Sequence, residues 1–226
     1  MTVVEVKGIE FFIEAGEQYL QMNDVQGEDL ATIWDEVVAK YPGFEATFCY
    51  RDMPSPLDVL DGIGARLLED CIRLDVTPES FTPYGGFEIS PLDKEDFEQF
   101  AAIHDAAFPE DDDMYWTSRR IWDAWDIFRI FVHKTAGEIT GYVLLCVGMR
   151  DKALSEVFAL WGESSPLKSA LLSAAATAAF ELGKELMINM VDRGDTTAMA
   201  EALAVGFKEV GYYRGYCVDI PSNIPS

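Results

Sequence analysis

Residues 162–220, GESSPLKSALLSAAATAAFELGKELMINMVDRGDTTAMAEALAVGFKEVGYYRGYCVDI, change hydrophobic period several times, and that order decides the fold. Leu167, Ala170, Leu171, Ala174, Ala178 and Leu182 form an apolar stripe at helical spacing. Pro166 is suited to the first turn of that helix and Gly183 to its end. ELMINMVD at 185–192 is rich in strand formers, and TTAMAEALAVG at 196–206 is a helix stopped by Gly206. FKEVGYYRGYCVDI at 207–220 reads as a pair of strands or one bent strand.

Working upstream, the period alternates again. Residues 153–161 predict a strand, and IFRIFVHK (127–134) and EITGYVLLCVG (138–148) predict a hairpin turning at Thr135, Ala136 and Gly137. TSRRIWDAWD (117–126) opens with a Thr117 or Ser118 cap and carries Ile121, Trp122 and Trp125 at helical spacing. DKEDFEQFAAIHDAAF (93–108) is a helix with Phe97, Phe100, Ile103 and His104 near one face, and FEIS (87–90) is a short strand. TPESFTPYGG (77–86) clusters turn residues and marks a boundary. The division expected is an N-terminal α/β domain at 1–80, a linker at 81–86 and a larger domain at 87–226.

Composition narrows the function classes. The chain has 226 residues with 49% hydrophobic, enough for a buried core, and a formal net charge of −23 from 40 acidic and 17 basic residues. Such a charge argues against a nucleic-acid partner, which needs a basic footprint, and favours cationic ligands. No apolar run reaches the roughly 20 residues of a membrane span, and MTVVEVKGIEFF lacks the basic region of a secretory signal, so the expected address is the cytoplasm with no membrane partner. Cys49, Cys71, Cys146 and Cys217 are scattered without a CxxC pair, so buried thiols are expected and no metal site. His104 and His133 lie in apolar-periodic segments and are read as structural.

The order strand, two helices, three strands, helix, strand, helix and closing strands over 87–220 resembles the GNAT (Gcn5-related N-acetyltransferase) superfamily. GEITGYVLL and DTTAMAEALAVGFKEVGYYRGYCVDI are its most specific matches. The resemblance implies an α/β (α+β) GNAT fold, with a central mixed twisted sheet flanked by helices and a smaller N-terminal α/β domain beside it. KGIEFFIE (7–14) would be a strand and GEDLATIWDEVVAKYP (27–42) a helix. Residues 44–76 then loosely repeat 187–220 when Gly62 is aligned with Gly206, as in the back half of a GNAT domain.

The resemblance also implies acyl transfer from acetyl-CoA, or another acyl-CoA, to a small amine or peptide acceptor. A non-catalytic GNAT-like ligand- or partner-binding protein is the alternative, and a homodimer is compatible with either. The family's pyrophosphate loop falls on Glu163, Ser164, Ser165, Pro166, Leu167 and Lys168, where its basic residue and both glycines are replaced. Ser164, Ser165, Leu167, Lys168 and Ser169 remain as donors at a helix N-terminus, with Phe158, Ala159 and Leu160 on the preceding strand along the pantetheine. Asp195 stands where the family often has an asparagine, and with Thr196 it also has the sequence of a helix cap. Ala202 replaces the family's acidic tyrosine, which leaves Tyr212 and Tyr213 as candidate acids and Glu156 as candidate base. Glu110, Asp113, Tyr115 and Trp116 would receive a cationic acceptor.

Overall fold

The computed structural model describes residues 2–109 and 116–222. The chain forms two compact units, one of residues 1–72 with 211–226 and one of Arg73–Val210. These boundaries differ from the division at 80 and 87, because the closing strand leaves the second unit at Gly211 and pairs within the first.

The first unit opens with a hairpin of β1 (Thr2–Val6) and β2 (Ile9–Glu14). Lys7 and Gly8 turn it with φ of 49° and 84°, the two positive values that a tight two-residue hairpin requires. The sequence showed only the second of these strands. β3 (Tyr19–Asn23) leads into α1 (Gly27–Lys40), which buries Leu30, Ile33 and Val37 at helical spacing. β4 (Glu45–Arg51) then pairs parallel to β3 along all of β3, from Tyr19 opposite Glu45 to Asn23 opposite Cys49. A short α2 (Leu57–Gly62) leads into β5 (Arg66–Val76). β11 (Lys208–Asp219), one continuous strand, joins the unit from Gly211 and lies between β4 and β5.

The second unit contains β6 (Ile89–Pro91), α3 (Phe97–Ala107), α4 (Ser118–Asp123), β7 (Phe128–Thr135) and β8 (Glu138–Cys146). β9 (Leu154–Gly162), α5 (Ser165–Glu181), β10 (Leu186–Asp192) and α6 (Thr196–Leu203) follow. The strand order is β5-β10-β9-β8-β7-β6, with β9 and β10 parallel and β6 to β9 antiparallel. This is the mixed sheet flanked by helices that the sequence predicts. The hairpin between β7 and β8 forms as expected, with Ala136 and Gly137 at φ of 53° and 89°. One face of the sheet carries Phe128, Ile130, Val132, Tyr142 and Leu144 against Phe100 of α3 and Ile121 of α4. The other face lies under α5, which covers β7 to β10 and packs on α6.

Residues 77–86 have no regular structure but are held against the second unit. The Thr82 amide donates to Val205 O at 2.9 Å, the Tyr84 amide donates to Ser173 Oγ at 2.9 Å, and Phe81 meets Phe180 edge to face at 5.6 Å. Gly206 lies beneath this strap with φ of 96°, and a Cβ there would sit 2.0 Å from Ser80 O. The corresponding left-handed glycine of the first unit is Gly64, at φ of 78°. Aligning Gly62 with Gly206 is therefore two residues out of register, because each strand starts two residues after its left-handed glycine. Among the described residues, no helix is long and apolar enough to cross a membrane.

Gly206→Ala must both adopt an unfavourable φ and displace backbone, so it should cost about 2–4 kcal/mol in denaturant unfolding. Gly62→Ala, in helix with nothing near its added methyl, should stay within about 0.5–1 kcal/mol of the wild type and on the stabilising side.

Candidate active site

The ladder between β9 and β10 runs from Leu154 opposite Leu186 only as far as Val157 opposite Asn189. Both strands continue, to Gly162 and Asp192, so they part like a fork at Phe158 and Met190. Phe158, Ala159 and Leu160 line the β9 arm. Phe158 is a bulge, since Val157 faces Leu145 and Ala159 faces Leu144 across β8. Bulges re-aim a strand, and this one lies where the parallel pairing stops. Beyond the fork, the edge of β9 that faced β10 has main-chain groups that an extended amide-bearing ligand could pair with. In the first unit, by contrast, the equivalent parallel pair β3 and β4 is closed along all of β3.

The N-terminus of α5 follows directly from the open arm of β9. A Cβ on Gly141 would lie 2.8 Å from Leu167 Cδ2, and one on Gly162 would lie 3.2 Å from Lys168 Cγ, so two glycines seat the first turn of the helix. Ser164 is the cap residue without a side-chain cap bond, and Ser164 and Ser165 are exposed. The Lys168 amide donates to Ser164 O at 3.0 Å and the Ser169 hydroxyl to Glu201 O at 3.1 Å. Both groups are thus engaged within the protein. The amides of Ser165 and Leu167 precede the first helical bond, and Pro166 has none to offer. Lys168 Nζ lies 3.6 Å from Oε1 of the buried Glu201, a partner the sequence did not suggest because Glu201 sits in an unremarkable helical pattern.

Glu156 pairs across the ladder with Cys146 and shares its face of the sheet, the one covered by α3 and α4. It is 8% exposed. Burial pushes the Cys146 thiol pKa up, and the Glu156 carboxylate adds to that shift. Nearby, Phe158 stacks on Trp116 at 5.8 Å and meets Phe128 edge to face at 5.7 Å, while Trp161 stacks on Tyr142 at 6.1 Å. Both rings are thereby tied to the aromatic core over β7 and β8.

Of the predicted acceptor residues, Glu110, Asp113 and Tyr115 lie outside the described residues. Trp116 is held in place, its carbonyl accepting from His104 Nε2 at 2.8 Å, while His104 Nδ1 accepts from the Tyr142 hydroxyl at 2.8 Å. The neighbouring Asp105 takes the Ser118 amide at 3.1 Å and its hydroxyl at 2.6 Å. α3 thus fixes residues 116–118 through consecutive side chains.

The candidate acids lie in the first unit. The Tyr213 hydroxyl donates to Cys49 Sγ at 3.1 Å, and burial drives its pKa far up. The Cys49 thiol is pushed up to about 11 by the same burial. A phenol already donating to a thiol it is buried with makes a poor proton donor to a substrate, so the acid expected at Tyr213 is corrected. Tyr212 has Arg214 stacked over its ring at 5.1 Å, and its amide donates to Asp52 Oδ1. Asp195 acts as the cap its sequence suggests, Oδ1 accepting from the amides of Thr197 and Ala198 at 3.0 and 2.9 Å.

No protein-family model and no curated protein matches the chain. Solved structures do match. A functionally unknown conserved protein from Staphylococcus epidermidis superposes with a TM-score of 0.68 at 12% identity, covering 96% of this chain and 92% of that one. A GCN5-related N-acetyltransferase from Kribbella flavida gives 0.66 at 14% identity, covering 96% and 88%. A tandem GNAT protein from the clavulanic acid biosynthesis pathway gives 0.63 at 13% identity, covering 99% and 82%. The chain has the fold of the GCN5-related N-acetyltransferases.

Burial lowers the pKa of His104 below its ordinary 6.5, so the folded state binds fewer protons there than the unfolded state as pH drops below that value. The stability that His104 contributes is complete above about pH 6.5 and lost as pH falls toward its folded pKa. His104→Gln should flatten that part of the stability profile in urea titrations between pH 5 and 7, whatever its effect on absolute stability.

Proposed function

We propose that the second unit is an acyltransferase of the N-acetyltransferase kind, moving an acyl group from a CoA thioester to a small amine or peptide amino group. The fork between β9 and β10 carries this reading. An extended pantetheine arm has amides that can pair with the open edge of β9 as an added strand does, and its thioester would then lie along Phe158 to Leu160. Holding thioester and amine in contact supplies much of the rate in such reactions. The amine nitrogen attacks the thioester carbonyl, the carbon–sulfur bond breaks, and the thiolate departs. Glu156 accepts the proton that the attacking ammonium must lose, directly or through water. The charge of −23 favours a cationic acceptor over an anionic one.

A binding module without chemistry is the second reading, and Ala202 favours it. That residue is fully buried where the family carries its acid, so no side chain there can protonate the leaving thiolate.

Calorimetric titration with acetyl-CoA separates the two from a protein with no thioester site. Heat of binding and thiol release in the presence of an amine are expected, whereas no heat and no thermal shift at millimolar ligand would remove both readings of this groove as a CoA site. Glu156→Gln should lower turnover at least about tenfold while leaving donor affinity within about twofold. Unchanged turnover at saturating amine would remove Glu156 as the base.

A further inference from the structure

The first turn of α5 does not fit a pyrophosphate, and the reason lies in α6. Glu201 is 3% exposed, neither of its carboxylate oxygens has a hydrogen-bond partner among the described residues, and its one close cation is Lys168 at 3.6 Å. Lys168 is also the sole basic residue in GESSPLKSA, residues 162–170. Its ammonium thus serves as counter-ion to a buried carboxylate. Drawing it away toward a phosphate would strand that carboxylate without a partner, which costs more than an exposed phosphate contact returns. Glu163, exposed just before the helix, adds a like charge to any anion arriving there.

Resting on the acyl-transfer reading, we infer that this site recognises its donor through the pantetheine thioester arm alone, with Glu201 cancelling the nucleotide grip by retaining Lys168. The donor class is pantetheine thioesters in general, and the adenosine diphosphate of CoA is dispensable. Glu201 is a specificity-determining residue that acts through Lys168, and it touches no reacting atom.

The test titrates the full chain with acetyl-CoA and with acetyl-pantetheine by calorimetry at low and high salt, and follows thiol release from each. The two donors should bind the wild type within about threefold of each other, with little salt dependence. Glu201→Gln, an isosteric change, releases Lys168 and should tighten acetyl-CoA about tenfold in a salt-sensitive manner while acetyl-pantetheine stays within about twofold. A wild-type preference for acetyl-CoA above about thirtyfold overturns the inference and leaves acyl transfer standing, as does an E201Q variant that folds but treats the donors alike. Binding of neither donor overturns the acyl-transfer reading itself, and this inference with it. Should E201Q fail to fold, the wild-type affinity ratio and its salt dependence decide alone.

Discussion

Leu167 packed into the hollow at Gly141 is the contact on which the second unit depends. A Cβ at 141 would meet Leu167 at 2.8 Å and Leu171 at 3.0 Å, so the glycine leaves room on β8 for these two side chains of α5. The buried Ala170, Ala175, Ala176 and Ala179 present small side chains along the rest of that packed face. Because α5 is the crossover between two parallel strands, fixing its first turn against β8 also fixes where β9 must end. The fork, the helix N-terminus beside it and the strap of residues 77–84 all take their positions from that packed helix.

What the sequence made legible follows from how local each feature is. The turn at Ala136 and Gly137 and the Asp195 cap are decided within a few residues, and each stands as read. Of the α5 stripe, Leu167, Ala170 and Leu171 are buried, but Ala174 and Ala178 are half-buried and Leu182 is exposed, because the covered face runs on through Leu172, Ala175, Ala176 and Ala179. β1 was missed because TVVEV is brief and mostly exposed, with only Val6 buried. The alignment of Gly62 with Gly206 falls two residues short of the left-handed Gly64, since Gly62 ends α2 and Gly64 follows it, and composition cannot tell the two glycines apart. The membership of β11 is a matter of which distant strand it pairs with, and its own alternation carries no sign of β4. Glu201 was overlooked for a related reason: a glutamate between alanines on a helix reads as solvated, and only the packing of α6 on α5 buries it.

The chemistry of the molecule is unevenly distributed. In the first unit, the Tyr213 hydroxyl donates to Cys49 Sγ and burial pushes the pKa of both groups up, so they contribute to packing. The His104, Tyr142 and Trp116 chain in the second unit is similarly self-contained, since both ring nitrogens are engaged. Such closed polar networks rigidify their surroundings because each member would be costly to leave unpaired. What remains for a ligand is mainly backbone, the open arm of β9, with Glu156 one strand residue before the ladder ends.

β11 has a consequence for the order of assembly. Its residues from Gly211 belong to the unit that begins at the other end of the chain, so the two units differ in when their pieces become available during synthesis. Residues 73–210 are contiguous, and that unit has all its strands before the segment from Gly211 emerges. The first unit must wait, with β4 and β5 lacking the strand between them, until those residues leave the ribosome. N-terminal domains generally fold first as a chain is made. Here residues 1–72 are made before the segment that completes their sheet, and until then β4 offers an open edge to any extended segment that reaches it.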